Sequence, residues 1–137
     1  MTNTSLSLRG LLHRFRLIDT WLIAPALLLV VFGELTHQPL LQDLDIDIWD
    51  KYLHFTAYFG LAMMTTIAVR ADRRALWCAA GLIALGALLE VAQGLTGRDA
   101  ELLDEVANTF GVVTALVLTW AGVALLRARA LLDVPAA

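Results

Sequence analysis

The chain has 137 residues, enough for a single domain. Hydrophobic residues make up 59% of it, against about 45–50% in a typical soluble domain. The net charge is −3 and no basic tract occurs, which argues against a nucleic-acid partner. The one cysteine, Cys78, has no second cysteine to pair with and reads as a small apolar helix residue.

In chain order, the first apolar segment covers residues 19–35, with Pro25 in its early part. A kink there is expected, because neighbouring groups can satisfy the carbonyl that proline frees. Arg9, Arg14 and Arg16 precede this segment, as they would a signal peptide. Residues 33–38 carry no small-x-small cleavage site, so an uncleaved helix is the preferred reading. A loop of residues 35–52 follows, in which Leu44-Asp-Ile-Asp-Ile48 alternates with period two. That pattern suits a half-buried extended segment or a loop lying on a membrane surface. Further apolar segments cover residues 53–69, 75–95 and 106–126. A bilayer core takes about 20 residues of helix, with a range near 17–25. The expected fold is therefore all-α, one transmembrane domain of four helices.

Charge sets the expected orientation. Arg9, Arg14, Arg16, Arg70, Arg73, Arg74, Arg127 and Arg129 all fall on one side, eight of the ten basic residues. Only Lys51 and Arg98 fall on the other, with Asp43, Asp45, Asp47, Asp50, Asp99, Glu101, Asp104 and Glu105. The positive-inside rule puts the arginine-rich side, and both termini, in the cytoplasm. Trp21, Trp77 and Trp120 then read as anchors at the inner interface, Trp49 and Tyr52 at the outer one. Small residues at four-residue spacing, Gly111 with Ala115 and Ala80 with Ala84, are candidates for close helix packing.

The chemistry-bearing residues gather at one depth. Asp50, His54 and Tyr58 repeat every four residues and share a helix face, with Lys51 beside them. Glu90 and Gln93 share a face near the end of the third segment, and Arg98 follows in the next turn. Asp104, Asn108 and Gly111 share a face at the start of the fourth. Segment two starts outside, segment three ends there and segment four starts there, so the three sets meet at the outer end. Each residue alone has a bland reading: Asp104 as a helix cap, Asn108 as an interhelical hydrogen bond, Tyr58 as packing, Asp45 and Asp47 as solvated loop charges. Ionisable groups within a span are costly and face the interior in pairs. Glu90 is accordingly expected to pair with Lys51 or Arg98. Together the set reads as a pocket formed by Asp50, Lys51, His54, Tyr58, Glu90, Gln93, Arg98, Asp104 and Asn108.

The pattern Asp50-Lys51-x-x-His54-x-x-x-Tyr58, then Glu90-x-x-Gln93, then Arg98 and Asp104-x-x-x-Asn108-x-x-Gly111, resembles the VanZ-like membrane proteins. The resemblance covers residues 49–126; the acidic Asp99-Ala-Glu101 after Arg98 is less typical. That family takes its name from a protein that raises resistance to the glycopeptide teicoplanin. The resemblance implies a role in the bacterial cell envelope, and not that this chain confers resistance.

Three functions compete. The first is a site that binds or processes an envelope lipid or lipid-linked precursor, its chain against the helices and its head group on Lys51, Arg98 and His54. Were it an enzyme, His54, Glu90 and Asp104 are the acid–base candidates. No serine, threonine or cysteine nucleophile stands beside them. The second is a metal site on His54, Glu90, Asp50 and Asp104. With one histidine, and with Lys51 and Arg98 opposing a cation, neither a metal nor another cofactor is expected. The third is a non-enzymatic scaffold or partner subunit whose polar cluster is an internal lock. A transporter reading is weaker still, because the inner halves of the segments offer no polar path.

Overall fold

The computed structural model describes residues 8–36, 47–95 and 101–132. Four helices occur among them and no strand: α1 (Leu8–Leu35), α2 (Asp47–Ala68), α3 (Arg74–Leu95) and α4 (Leu102–Leu132). The all-α expectation is met, and α3 matches its expected span to within one residue. The other helices are longer than the apolar segments inside them. Hydropathy marks where a helix is apolar, not where it is helical. Arginine, lysine and glutamate are good helix formers, so a helix runs on past its apolar stretch. Thus α1 begins at Leu8 and continues through Pro25 without interruption, and α2 begins at Asp47, not at residue 53. Asp47 and Ile48, expected in an extended loop, are helical; residues 44–46 lie outside the described residues.

Two stretches, Arg74–Leu95 and Leu102–Arg129, are long and apolar enough to cross a membrane, each with a mean hydropathy of 2.0. The apolar part of α1, Thr20–Leu35, is shorter. Residues 69–73 link α2 to α3 in a tight turn. Ala71 N–H donates to the Thr66 carbonyl and Arg70 N–H to that of Ile67, a helix-ending pair that places Arg70 at φ 64° and Ala71 at φ 50°. Glycine is usual in that left-handed region, so this turn carries backbone strain.

The core forms where Tyr58, Leu61 and Ala62 of α2 meet Ala79 and Leu82 of α3 and Val112 and Ala115 of α4. Ala26, Leu27 and Val30 of α1 pack against it. The most extensive contact is between α2 and α4. Gly111 allows it: a Cβ there would strike the Phe55 carbonyl oxygen and come within 3.0 Å of the Phe59 nitrogen. The pairing of Gly111 with the buried Ala115 is thus part of a helix contact. Ala80 and Ala84 are not, for both face outward. The buried face of α3 is one register over, on Ala75, Ala79, Leu82, Gly86, Leu89, Glu90 and Gln93. Trp21, Trp77, Trp49 and Tyr52, read as interface anchors, are all exposed.

Candidate functional site

The ends of α1 and α3 meet the starts of α2 and α4, and the buried ionisable side chains collect there. His54 stands at the centre. Its Nδ1 is 3.1 Å from Asn108 Oδ1 on α4 and 3.7 Å from Glu34 Oε1 on α1. Its Nε2 is 3.9 Å from Asp50 Oδ1 and 3.8 Å from Asp104 Oδ2. Asn108 is fully buried, and its amide Nδ2 donates to Glu105 Oε2 at 3.4 Å. Thr109 donates to the other oxygen of Glu105 at 3.2 Å. Gln93 of α3 donates from Nε2 to the Glu34 backbone carbonyl at 2.8 Å, which ties the last turns of α1 and α3 together. The Tyr58 hydroxyl, beneath His54 on α2, interacts with the Glu34 carboxylate.

Gly86 makes room for this network from α3. A Cβ there would lie 2.5 Å from Glu105 Oε2, 3.0 Å from Asn108 Nδ2 and 3.3 Å from the Tyr58 hydroxyl. Lys51 reaches the first turn of α4, with Nζ at 2.9 Å from Glu101 Oε2 and 3.7 Å from Asp104 Oδ1. Of the two partners expected for Glu90, Lys51 instead turns to the two acids that open α4, and Arg98 lies outside the described residues. Asp104, expected as a cap, lies inside the first turn of α4, its carboxylate directed at Lys51 and His54.

Glu90 is 7% exposed, and neither of its oxygens has a hydrogen-bond partner among the described residues. It faces Asp104 and His54 electrostatically, with the Glu101 backbone nearby. Leaving a buried polar group without a partner costs about 1–3 kcal/mol, more for a charged one. An open groove of about 310 Å³ runs past it, lined by Ala87, Glu90, Val91, Glu101, Leu102 and Glu105. A second groove of about 310 Å³ lies across α4, lined by Glu105, Val106, Thr109, Phe110 and Val113.

Of the expected pocket residues, Asp50, Lys51, His54, Tyr58, Glu90, Gln93, Asp104 and Asn108 converge. Arg98 lies outside the described residues, as do Asp43, Asp45 and Asp99. Three participants are new, the first being Glu101, which pairs with Lys51. Glu34, next to the last residue of α1, joins the cluster through His54, Tyr58 and Gln93. Glu105 holds Asn108. The signal for Glu34 is topological: it ends the first apolar segment, at the same end where the second begins. No family model, no curated protein and no solved structure matches the chain.

Proposed function

We propose that the chain is a four-span protein of the bacterial cell membrane, related to the VanZ-like proteins, with both termini in the cytoplasm. Its outward-facing polar cluster binds or processes an envelope lipid or lipid-linked precursor. The observation that carries this reading is the groove beside Glu90. Ala87, Val91 and Leu102 offer an apolar wall for a lipid chain, and Glu90, Glu101 and Glu105 border it where a head group would lie at its rim. Glu90 is buried at the edge of this groove, with the Glu101 backbone beside it.

The helix surfaces support a bilayer setting. Leu28, Leu29, Phe32, Leu88, Phe110, Val117, Leu118 and Leu125 are all exposed. So many exposed large apolar side chains on three helices suit a lipid surround better than water. The pairing of Lys51 with Glu101 and Asp104 modifies the head-group chemistry. Among the described residues acids dominate the site, which favours a head group that donates hydrogen bonds or carries positive charge. His54 is the proton acceptor best placed for chemistry there, with Glu90 and Asp104 beside it.

Native mass spectrometry of the full chain in mild detergent, after extraction from bacterial membranes, tests the reading. A retained lipid adduct on the wild-type protein is expected, lost in Glu90→Leu and in Val91→Trp, which fill the groove. Adduct loss in neither variant would remove the groove from the argument.

Orientation has its own test. With Cys78 replaced by alanine, cysteines introduced as Asp47→Cys and Ala100→Cys should react with an impermeant thiol reagent added to intact cells. Asp72→Cys and Ala128→Cys should react only after the cells are opened. Reversed labelling would place the cluster in the cytoplasm and overturn the envelope role.

A further inference from the structure

We propose that Asp50, His54 and Asp104 form a binding site for a divalent transition-metal cation. One donor atom from each side chain lies within 4.8 Å of the others. His54 Nε2 is 3.9 Å from Asp50 Oδ1 and 3.8 Å from Asp104 Oδ2. Both distances are too long for hydrogen bonds. Two ligands of one tetrahedral ion, each bonded at about 2.0–2.2 Å, stand about 3.3–3.6 Å apart, so a small inward turn of the carboxylates closes the site.

The side chains behind the site are arranged as a metal-binding histidine needs. Asn108 gives its N–H to Glu105, so its carbonyl oxygen faces His54 Nδ1 at 3.1 Å. A carbonyl only accepts, so the imidazole proton sits on Nδ1. Nε2 is then directed between the Asp50 and Asp104 carboxylates, so a cation placed there would meet one nitrogen and two oxygen donors. A second-shell acceptor of this kind orients a ligating histidine and fixes its tautomer.

Lys51 does not block the position. Its ammonium sits on Glu101 at 2.9 Å and approaches Asp104 through Oδ1, whereas the oxygen turned to His54 is Oδ2. The charge around the site favours a cation. Glu34 of α1, Asp50 of α2, Glu90 of α3, and Glu101, Asp104 and Glu105 of α4 surround it. Among the described residues only Lys51 stands against them. Glu90, buried and lacking a hydrogen-bond partner among those residues, faces both His54 and Asp104. One imidazole and two carboxylates suit zinc, manganese or iron(II) better than calcium, magnesium or copper(I). Three protein ligands leave a coordination position for water or for an oxygen of a bound molecule.

The inference stands independently of the lipid reading. The test uses the full chain in mild detergent, freed of metal by a chelator and then titrated with zinc or cobalt(II) chloride. Elemental analysis after dialysis should give one ion per chain. Cobalt(II) should show the visible absorption of a low-coordinate N/O site. Bound metal should also raise the unfolding temperature in proportion to the logarithm of its concentration. Asp50→Asn changes a side chain about half exposed, at 48%, and should keep the fold while weakening affinity at least about tenfold. His54→Gln should abolish binding. Asn108→Ala, which touches no metal, should weaken it roughly 10–100-fold. Absence of a stoichiometric ion would overturn the proposal, as would binding unchanged in both Asp50→Asn and His54→Gln. A wild-type protein that retains lipid but no metal would overturn this inference alone and leave the groove reading standing.

Discussion

Gly111→Ala should be among the most damaging single-methyl changes available in this chain. The added Cβ would press on the Phe55 carbonyl oxygen and the Phe59 nitrogen, both backbone atoms of α2. Backbone cannot swing aside as a side-chain tip can, so α2 and α4 must separate along their main contact. Overpacking costs typically about 1–3 kcal/mol, and this case should reach about 3 kcal/mol or more. Gly86→Ala makes the same chemical change with a different neighbour. Its Cβ would meet the end of the Glu105 side chain at 2.5 Å, which can rotate away at the expense of its bond to Asn108. About 1 kcal/mol is expected there, near one net hydrogen bond. Gly60→Ala meets nothing within 4 Å. It should be neutral or stabilising by about 0.5–1 kcal/mol, because alanine suits a helix better than glycine. Thermal unfolding in detergent, followed by tryptophan fluorescence, checks the order Gly111, Gly86, Gly60. A Gly111→Ala protein as stable as Gly60→Ala would mean that α2 and α4 do not pack as described.

What was legible before the structure is uneven, and the reasons are physical. The third apolar segment maps onto α3 because α3 is apolar from end to end, so hydropathy and helicity coincide. Hydropathy alone starts α2 too late, because Asp47, Asp50 and Lys51 make a polar first turn that reads as loop. Side chains on one helix face were found from spacing alone, as with Asp50, His54 and Tyr58, or Asp104, Asn108 and Gly111. Contacts between helices were harder. Glu34 has no polar neighbour at helical spacing within its own apolar segment, and its place beside His54 exists only once α1 and α2 pack. Ala80 and Ala84 show the same gap from the other side. Their spacing is right for close packing, but rotation about the helix axis, which spacing does not set, turns them outward and gives the buried stripe to Ala79, Leu82 and Gly86.

The partner of Lys51 separates a working site from a lock, and Lys51→Met should reveal it. The ammonium faces Glu101, which is partly exposed, and Asp104, which is buried. Removing it leaves the Asp104 carboxylate with His54 Nε2, at 3.8 Å, as its remaining nitrogen neighbour among the described residues. Breaking a fully buried pair costs about 3–5 kcal/mol. This pair is long and Lys51 keeps some contact with solvent, so about 2–3 kcal/mol is expected. Measurements belong in chelator, so that a bound cation does not substitute for the ammonium. Adding Asp104→Asn removes the stranded charge and should restore about half of the loss. Adding Glu90→Gln to Lys51→Met should restore less, because Glu90 faces Asp104 and His54 and makes no hydrogen bond to the ammonium. The two double-mutant cycles therefore rank the partners, and a larger coupling to Glu90 than to Asp104 would invert the assignment. Lipid retention by the restored Lys51→Met/Asp104→Asn protein then divides the two roles. A lock needs only a stable bundle, so the restored protein would hold lipid as the wild type does. A site that uses the Asp104 carboxylate would be stable and empty, and that is the outcome expected here.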